Sequence, residues 1–317
     1  MTAMHPDDEF HPPTGDDPWW TETCWFTFTV PERRLSGQLY PFFRPNQGVA
    51  AGAAYFWDER GDQPWNCLYA KNFWHLPIPA GARLSDLALA NGIRIRCLEP
   101  LRRYALRYDD PDGGDEVHLE LAFTAVAPPH SLGGSHLDQP GRFEGTLVLH
   151  GDEIRVDAFG FRDRSWGPRT QFGQGITGTP AANGGYSYAT ASARDAFHTI
   201  TMDFGAGCVS IHGYLLRDSE WSKLASGRRE VVERDRATGF PLRVRIEGRD
   251  ALGRELVASG RCLNRLAFFI NPNLFTVNCL TEWSFGGITA FGEDHDNWSA
   301  PAARRFFRRE LGFAQAR

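Results

Sequence analysis

The sequence lacks the features of most membrane, disulfide-bonded and zinc-binding proteins. No run approaches the roughly 20 apolar residues that a membrane-spanning helix needs. The six cysteines include no Cys-x-x-Cys pair, and the ten histidines form neither His-x-His nor His-Glu-x-x-His spacings. Free thiols are therefore favoured over disulfides, and no metal site is predicted. Residues 1–17 contain no apolar core like that of a secretory signal, which predicts a soluble, cytoplasmic protein.

Blocks of like charge are also missing. The net charge is −5, the estimated pI is about 6.1, and acidic and basic residues alternate along the chain. This argues against a surface that tracks phosphates, and no nucleic-acid partner is expected. Gly-x-Ser-x-Gly, the Walker loop and the dinucleotide fingerprint are absent. These absences disfavour covalent, phosphoryl-transfer and hydride chemistry, and they predict no cofactor.

Aromatic residues, in contrast, are abundant. The 317 residues are 42% hydrophobic and 13% aromatic, with 10 Trp and 23 Phe. This is more aromatic surface than a minimal core needs, which predicts an aromatic-lined interior and an apolar or aromatic small-molecule ligand. The length fits two domains or one large all-β unit, and it leaves the oligomeric state open.

Short segments rich in aromatic and β-branched residues recur along the chain, separated by turns. Residues 24–30 are typical, and the clearest hairpin surrounds Gly151-Asp152. Without intervening helices, doubly wound nucleotide folds are excluded. We predict an all-β protein of two antiparallel β-barrels. Its parts are a disordered leader (1–18), an N-terminal domain (19–165) and a C-terminal domain (166–317), which ends in a short helix capped by Ser299.

The densest candidate segment for chemistry is 160–169, which reads Gly-Phe-Arg-Asp-Arg-Ser-Trp-Gly-Pro-Arg. Strand alternation sends Arg162 and Arg164 to one face and Asp163 and Ser165 to the other. Arginine partners would lower the pKa of Asp163, whereas an apolar pocket would raise it. Asp163 is thus either an ion-paired strut or a proton donor, and both interpretations stay open.

Other candidates lie on several segments. His136, in a loop rich in Gly, Ser and Pro, is a candidate base, although an exposed loop histidine fits equally well. Glu282, next to Trp283, could complete an acid/base pair with Asp163 or form an ordinary salt bridge. His198 and His212 are interpreted as core histidines. Candidate substrate-binding residues are Arg162, Arg164, Trp166, Arg169, Tyr69, Lys71, Trp74 and Trp283.

The run Arg-Asp-Arg-Ser-Trp-Gly at 162–167 resembles the Asp-His-Asn-Trp-Gly signature of the carotenoid 1,2-hydratase (hydroxyneurosporene synthase) superfamily. It is still more similar to uncharacterised bacterial relatives that carry Arg-Asp-His/Arg-Ser-Trp-Gly-Pro-Arg. Further similarities are Ser-His-Leu-Asp-Gln-Pro-Gly-Arg at 135–142 and Arg-Pro-Asn-Gln-Gly at 44–48. The His and Asn of the hydratase signature are replaced here by Arg164 and Ser165.

This resemblance implies two tandem lipocalin-like β-barrels, a ligand cavity near their junction, and neither metal nor organic cofactor. It also implies that Asp163 protonates an alkene, after which water captures the cation. The fold supports pericyclic cyclases as well, so it does not determine the reaction.

The leading hypothesis is a cofactor-independent lyase of the hydratase type that acts by acid/base proton transfer. Its substrate would be a bulky apolar or aromatic molecule such as an isoprenoid, a steroid or a lignin-type dimer. Arginines beside the motif favour a substrate that carries a phenolate or carboxylate. The alternatives are a non-catalytic carrier of hydrophobic ligands and a cyclase or isomerase. The sequence leaves the substrate and the direction of reaction undetermined.

Overall fold

The computed structural model describes residues 4–110, 112, 117–169, 182–205, 207–271 and 273–312. Antiparallel strands dominate this part of the chain, as the sequence predicts. The strands are β1 (Trp20–Val30), β2 (Leu35–Arg44), β3 (Val49–Trp57), β4 (Tyr69–Pro77), β5 (Asp86–Ala88), β6 (Ile93–Glu99), β7 (Arg103–Asp109), β8 (Val117–Ala125), β9 (His130–Leu132), β10 (His136–Leu149), β11 (Asp152–Pro168), β12 (Asn183–Thr190), β13 (Ala196–Asp203), β14 (Cys208–Arg217), β15 (Glu220–Arg234), β16 (Pro241–Asp250), β17 (Glu255–Cys262), β18 (Leu266–Asn271), β19 (Leu274–Phe285) and β20 (Ile288–Ser299), followed by helix α1 (Ala300–Glu310).

The chain divides into two compact units. Unit 1 comprises Met1–Val30, Ser36–Phe56 and Leu68–Arg169, and unit 2 comprises Pro31–Leu35, Trp57–Cys67 and Thr170–Arg317. The sequence-based boundary after residue 165 falls inside β11. That strand stays paired with β1 as far as Pro168, opposite Trp20, and this pairing keeps the whole motif in unit 1.

Unit 1 is built on an eleven-stranded sheet with the order β4-β3-β2-β1-β11-β10-β8-β7-β6-β5, in which β9 also pairs with β10. In unit 2, the strand order is β17-β16-β15-β14-β13-β12-β20-β19. A further pairing of β17 with β19 closes these eight strands into an antiparallel barrel. The two-barrel, all-β fold class predicted from the sequence is confirmed.

The predicted hairpin is formed by β10 and β11. Its two-residue turn has positive φ at both central residues, 52° at His150 and 82° at Gly151, which matches the twist of the flanking strands. From Leu149 opposite Asp152, pairing continues without a bulge to His136 opposite Ser165. Because this register is unbroken, the motif residues of β11 lie directly opposite residues of β10 as far as Ser165.

Phenylalanine rings fill the core of unit 1. Phe26, Phe123 and Phe143 are at most 1% exposed, and the rings of Phe123 and Phe143 lie 5.0 Å apart between centroids. The cavity beside Phe26 and Arg162 measures only about 10 Å³, roughly the space of one water. The rings at this place are therefore packed against each other, and they do not line a ligand-sized cavity.

Helix α1 confirms the one helix predicted from the sequence. Ser299 occupies the N-cap position, but its side chain makes no capping hydrogen bond, in contrast to the expectation. Phe307 holds the helix against unit 2, with its ring 5.4 Å from that of Phe275 and 5.9 Å from that of Phe240. Among the described residues, no helix is long and apolar enough to cross a membrane.

The described part of the segment predicted to be a disordered leader is placed on unit 1. It contains a short 3-10 helix, Pro6–Asp8, and Asp8 is only 2% exposed. The composition predicts disorder because the segment offers little apolar surface to bury. The Asp8 carboxylate instead pairs with the buried Arg162 of β11, and Arg164 donates to the Asp7 carbonyl. Composition alone cannot reveal these interactions.

Candidate functional site

Strand alternation divides the motif of β11 between the two faces of the sheet, as predicted. Arg162 and Arg164 are buried on one face, and Asp163 and Ser165 lie on the other. β11 has a neighbour on each side, so that Asp163 faces Trp25 of β1 and Asp138 of β10. The candidate acid is therefore surrounded by side chains from three adjacent strands.

Four polar side chains form a cluster on this face. Ser165 Oγ lies 2.7 Å from His136 Nδ1, and His136 Nε2 lies 2.9 Å from Asp138 Oδ2. Single ligand atoms of His136, Asp138 and Asp163 all lie within 4.8 Å of one another. Asp138 is fully buried and Asp163 is half-buried. This polar cluster has the order hydroxyl, imidazole, carboxylate, with a second carboxylate beside the imidazole.

The charge of His136 depends on the two carboxylates. Burial alone would lower the pKa of His136, but the contact with Asp138 and the nearby charge of Asp163 raise it above its ordinary value. Two carboxylates this close repel each other when both are ionised, and a protonated imidazole between them relieves that repulsion. The polar cluster can therefore hold a proton that is shared among its members.

Aromatic side chains border the polar cluster. The Trp25 indole N–H donates to Gln38 Oε1 at 3.0 Å, which fixes the ring beside Asp163. Burial, and then the charge of Asp163, raise the pKa of Tyr40 to about 12, while the charge of Arg169 opposes this rise. Tyr40 consequently remains a neutral hydroxyl at physiological pH.

The polar cluster could also hold a cation by geometry alone. One imidazole and two carboxylates offer three ligand atoms within 4.8 Å of one another, which suits a small divalent ion. In the hydrogen-bonded arrangement described above, the same atoms contact each other and Ser165. The donor set thus permits proton transfer and metal binding alike.

Residues 4–298 match the family model described as a domain of unknown function, DUF7064. The chain belongs to this family. None of the curated proteins compared with it matches.

Two solved structures share the DUF7064 fold over most of their length. An AttH candidate from Nitrosomonas europaea has a TM-score of 0.60 at 14% identity, over 88% of this chain and 91% of that chain. Kievitone hydratase from Nectria haematococca has a TM-score of 0.55 at 10% identity, over 88% of this chain and 89% of that chain. At these identities the likeness concerns the fold alone.

On the opposite face of β11 in this DUF7064 protein, both arginines are ion-paired. Arg162 donates to Asp8 Oδ1 at 2.9 Å and to Gln139 Oε1 at 2.9 Å. Arg164 binds the Glu22 carboxylate and donates to the Asp7 carbonyl at 2.7 Å. The structure therefore places these two predicted substrate-binding residues away from Asp163, where they hold the N-terminal segment.

The end of β11 carries the remaining residues of the motif. The Trp166 ring is stacked on His11, with centroids 3.9 Å apart and planes 8° from parallel. The Arg169 backbone N–H donates to the Trp19 carbonyl, while its charge acts on both His136 and Tyr40. The charge of Arg169 therefore acts on the polar cluster, where it lowers the pKa of His136.

Strand β4 brings its predicted residues to another part of unit 1. Tyr69 donates to Asp110 Oδ2 at 2.8 Å, and Lys71 binds the same carboxylate. Trp74 points to the opposite face and is 46% exposed. Tyr69 and Lys71 therefore bind one carboxylate, that of Asp110, and Trp74 presents an exposed ring. None of these contacts involves Asp163.

Two predicted residues belong to unit 2. Glu282 accepts a hydrogen bond from Arg261 at 3.1 Å, and Trp283 is fully buried with its ring edge-on to Phe197 at 5.2 Å. Glu282 therefore makes the salt bridge that the sequence allowed, and Trp283 packs in the core of the barrel. Pairing of Glu282 with Asp163 stays a prediction.

Unit 2 also contains a buried cluster of imidazole and phenol rings. His198 is fully buried and His212 is 2% exposed, as expected of core histidines. The ring centroid of His198 lies 4.7 Å from that of Tyr186 and 5.9 Å from that of His212. The sequence pattern identifies the histidines but not the tilted contacts of the His198 ring with Tyr186 of β12 and Tyr214 of β14.

Asp138, Ser165, Trp25 and Tyr40 were not among the predicted site residues. A signal for the first two is present in the hairpin. Extending the register outward from Leu149 and Asp152 pairs Asp138 with Asp163 and His136 with Ser165. The contributions of Trp25 and Tyr40 depend on β1 and β2, which are far away in sequence, and no local pattern identifies them.

Proposed function

We propose that this protein is a cofactor-independent hydratase-type lyase that adds water to an alkene, or removes it, by acid/base proton transfer. The substrate is a bulky apolar or aromatic small molecule. The observation that carries this proposal is the partly buried polar cluster of His136, Asp138, Asp163 and Ser165. The fold of this protein is shared with kievitone hydratase, a hydratase by name.

Asp163 and His136 divide the proton transfers between them. In the hydration direction, protonated Asp163 gives its proton to one alkene carbon, and a cation develops on the other. Water attacks that cation and passes a proton to His136, which accepts it as the neutral imidazole. The proton then returns to Asp163, so that the net change is addition of one water molecule. Elimination follows the same steps in reverse.

The neighbouring residues orient and stabilise these groups. Asp138 fixes the orientation of the imidazole and favours its protonated form, as a carboxylate partner does for a general base. Trp25 presents an aromatic ring beside Asp163, where a developing cation is stabilised by the π-face. Arg169 supplies a positive charge for a phenolate or carboxylate on the substrate.

The arrangement of the arginines favours the enzyme over a carrier. A carrier needs no titratable pair, and in it Asp163 would serve as an ion-pair strut. Arg162 and Arg164, its neighbours in sequence, bind Asp8 and Glu22 on the opposite face. The carboxylate of Asp163 instead lies with His136 and Asp138.

The deciding experiment compares Asp163→Asn with the wild type on a panel of isoprenoid, steroid and lignin-dimer substrates. We expect turnover to fall by about 10²–10⁴-fold because general acid catalysis contributes that much. Ligand binding, followed by tryptophan fluorescence, should be retained. Asp157→Asn, on the same strand but paired with Arg142, is the matched control. Ligand binding without turnover in either protein would support the carrier, and turnover unaffected by Asp163→Asn would support a cyclase.

A further inference from the structure

The outer face of the unit 2 barrel carries a groove of about 500 Å³. This volume falls within the roughly 300–1,000 Å³ of small-molecule sites. The groove crosses β16, β17 and β19, where Val244, Gly260 and Trp283 are buried. Because side chains alternate along a strand, the residues on either side of these three point outward into the groove.

Strand register places two arginines directly opposite each other in the groove. Arg243 of β16 faces Arg261 of β17, which in turn faces Glu282 of β19. Like charges directly opposite in a sheet repel, and the pair destabilises the sheet unless an anion compensates it. Both guanidiniums are more than half exposed. They can therefore approach a ligand without rearrangement of the strands.

A second row beside these arginines consists of small hydroxyl side chains. Arg245 faces Ser259, Ser259 faces Ser284, and Ser284 faces Thr289 across three successive strand pairs. Short side chains leave the space that the groove occupies, and their hydroxyls can donate hydrogen bonds. Val232, half exposed at the groove, adds an apolar contact.

Glutamates around the groove pair with its arginines but use only part of their hydrogen-bond donors. Glu233 lies 3.0 Å from Arg243, and Glu282 lies 3.1 Å from Arg261. Glu247 is shared between Arg245 and Arg228, each at 2.6 Å. With Glu230, which faces Arg245 across the β15–β16 pair, four arginines meet four glutamates. A guanidinium has five N–H donors, so that each keeps donors available for a further acceptor.

The geometry points to a binding site for a small organic oxyanion in this groove. A phosphate or carboxylate binds between Arg243 and Arg261, and the hydroxyl row and Val232 accommodate the body of the ligand. Planar guanidiniums recognise both anions through paired hydrogen bonds. The site lies in unit 2 and uses no residue of the proposed acid/base cluster. It does not depend on the hydratase activity.

The test measures binding of 2-naphthyl phosphate, 2-naphthoate and inorganic phosphate, by calorimetry and by NMR of the arginine Nε–H groups. We expect the naphthyl anions to shift the Arg243 and Arg261 signals. Arg261→Gln should weaken binding by about 10-fold or more, since a charge-assisted hydrogen bond contributes that much. Arg249→Gln, an exposed arginine of β16 paired with Glu255, is the matched control and should bind normally.

Four results would overturn the proposal, and two of them concern binding in the groove itself. One is the absence of any signal shift with millimolar naphthyl phosphate in the wild type. The other is equal affinity of the wild type and Arg261→Gln. Binding of neutral 2-naphthol as tightly as 2-naphthoate contradicts anion recognition, and binding of inorganic phosphate as tightly as naphthyl phosphate contradicts the organic ligand class. Circular dichroism of each variant separates loss of binding from loss of folding.

Discussion

The two faces of β11 use charged residues in opposite ways. On one face, Arg162 is ion-paired with Asp8 of the N-terminal segment and Arg164 with Glu22 of β1, and both arginines are at most 1% exposed. On the other, Asp163 lies beside a second carboxylate and an imidazole. Oppositely charged pairs stabilise one face, whereas two carboxylates lie beside one imidazole on the other. Only the second arrangement poises a proton for transfer.

This comparison shows why a charged motif has to be divided by strand alternation before roles are assigned. Arg162, Asp163 and Arg164 are adjacent in sequence, and together they resemble one ion-paired group. In the sheet, Arg162 and Arg164 share one face, and the carboxylate between them belongs to another environment. Substitutions on the two faces should therefore affect different properties, stability on one and catalysis on the other.

The largest effect is expected on the arginine face. Arg162→Met removes one partner of a buried pair and leaves the Asp8 carboxylate without its charge partner. We expect a loss of about 3–5 kcal/mol in the free energy of unfolding. Urea denaturation measures it, with Arg155→Met as the control, since Arg155 lies on the same strand and is 84% exposed.

A double variant sharpens this prediction. Replacing both partners, as in Asp8→Leu with Arg162→Met, removes the buried charges together and should recover most of the lost stability. Turnover of the folded double variant should equal that of the wild type. A folded double variant with normal binding but strongly reduced turnover would assign the arginine face to the catalytic site after all.

The next effect is expected on the acid/base face. Asp138→Asn keeps the shape of the side chain but removes the charge that raises the pKa of His136. We expect turnover to fall by roughly 10²-fold, because the imidazole loses its orienting carboxylate. The low-pH limb of the rate profile should also shift to lower pH, since His136 then stays neutral over a wider range.

Measurement of the rate between pH 5 and 9, with an NMR titration of the His136 ring, checks both expectations. An unchanged His136 titration in Asp138→Asn would contradict the electrostatic coupling. If the rate falls while the titration shifts upward, the base is another residue.

Sequence patterns predicted the elements of this fold well but predicted few of its contacts. Alternation placed Asp163 and Ser165 on one face, and turn chemistry identified the β10–β11 hairpin, because both depend on neighbouring residues. The pairing of Arg162 with Asp8 joins residues 154 positions apart. No local pattern encodes such a contact, and the acidic, Pro-rich composition of residues 1–18 predicted disorder instead.

The members of the candidate site could be recognised from the sequence only in part, for the same reason. Asp163 and His136 were identified from the motif and from a loop, and each alone allowed a structural interpretation. Their relation depends on the register of one long hairpin, which also brings in Asp138. Trp283 was assigned to ligand binding from its position next to Glu282. It is a core residue, because alternation sends these two neighbours to opposite faces of β19.

The smallest effect is the pH dependence of stability that His136 contributes. Its pKa in the folded state is raised above the ordinary value of 6.5. Protonated His136 therefore stabilises the fold fully below about pH 6.5, and this contribution is lost as pH rises through the folded-state pKa. We expect the stability difference between wild type and His136→Gln to be larger at pH 5.5 than at pH 8.5, by urea denaturation. In the Asp138→Asn background the larger difference at pH 5.5 should disappear or reverse, since burial, which lowers the pKa of His136, is then opposed only by the charge of Asp163. A pH-independent difference in the wild-type background would mean that the pKa of His136 is the same in the folded and unfolded chains. The carboxylates on this face of β11 would then lie close to His136 without raising its pKa.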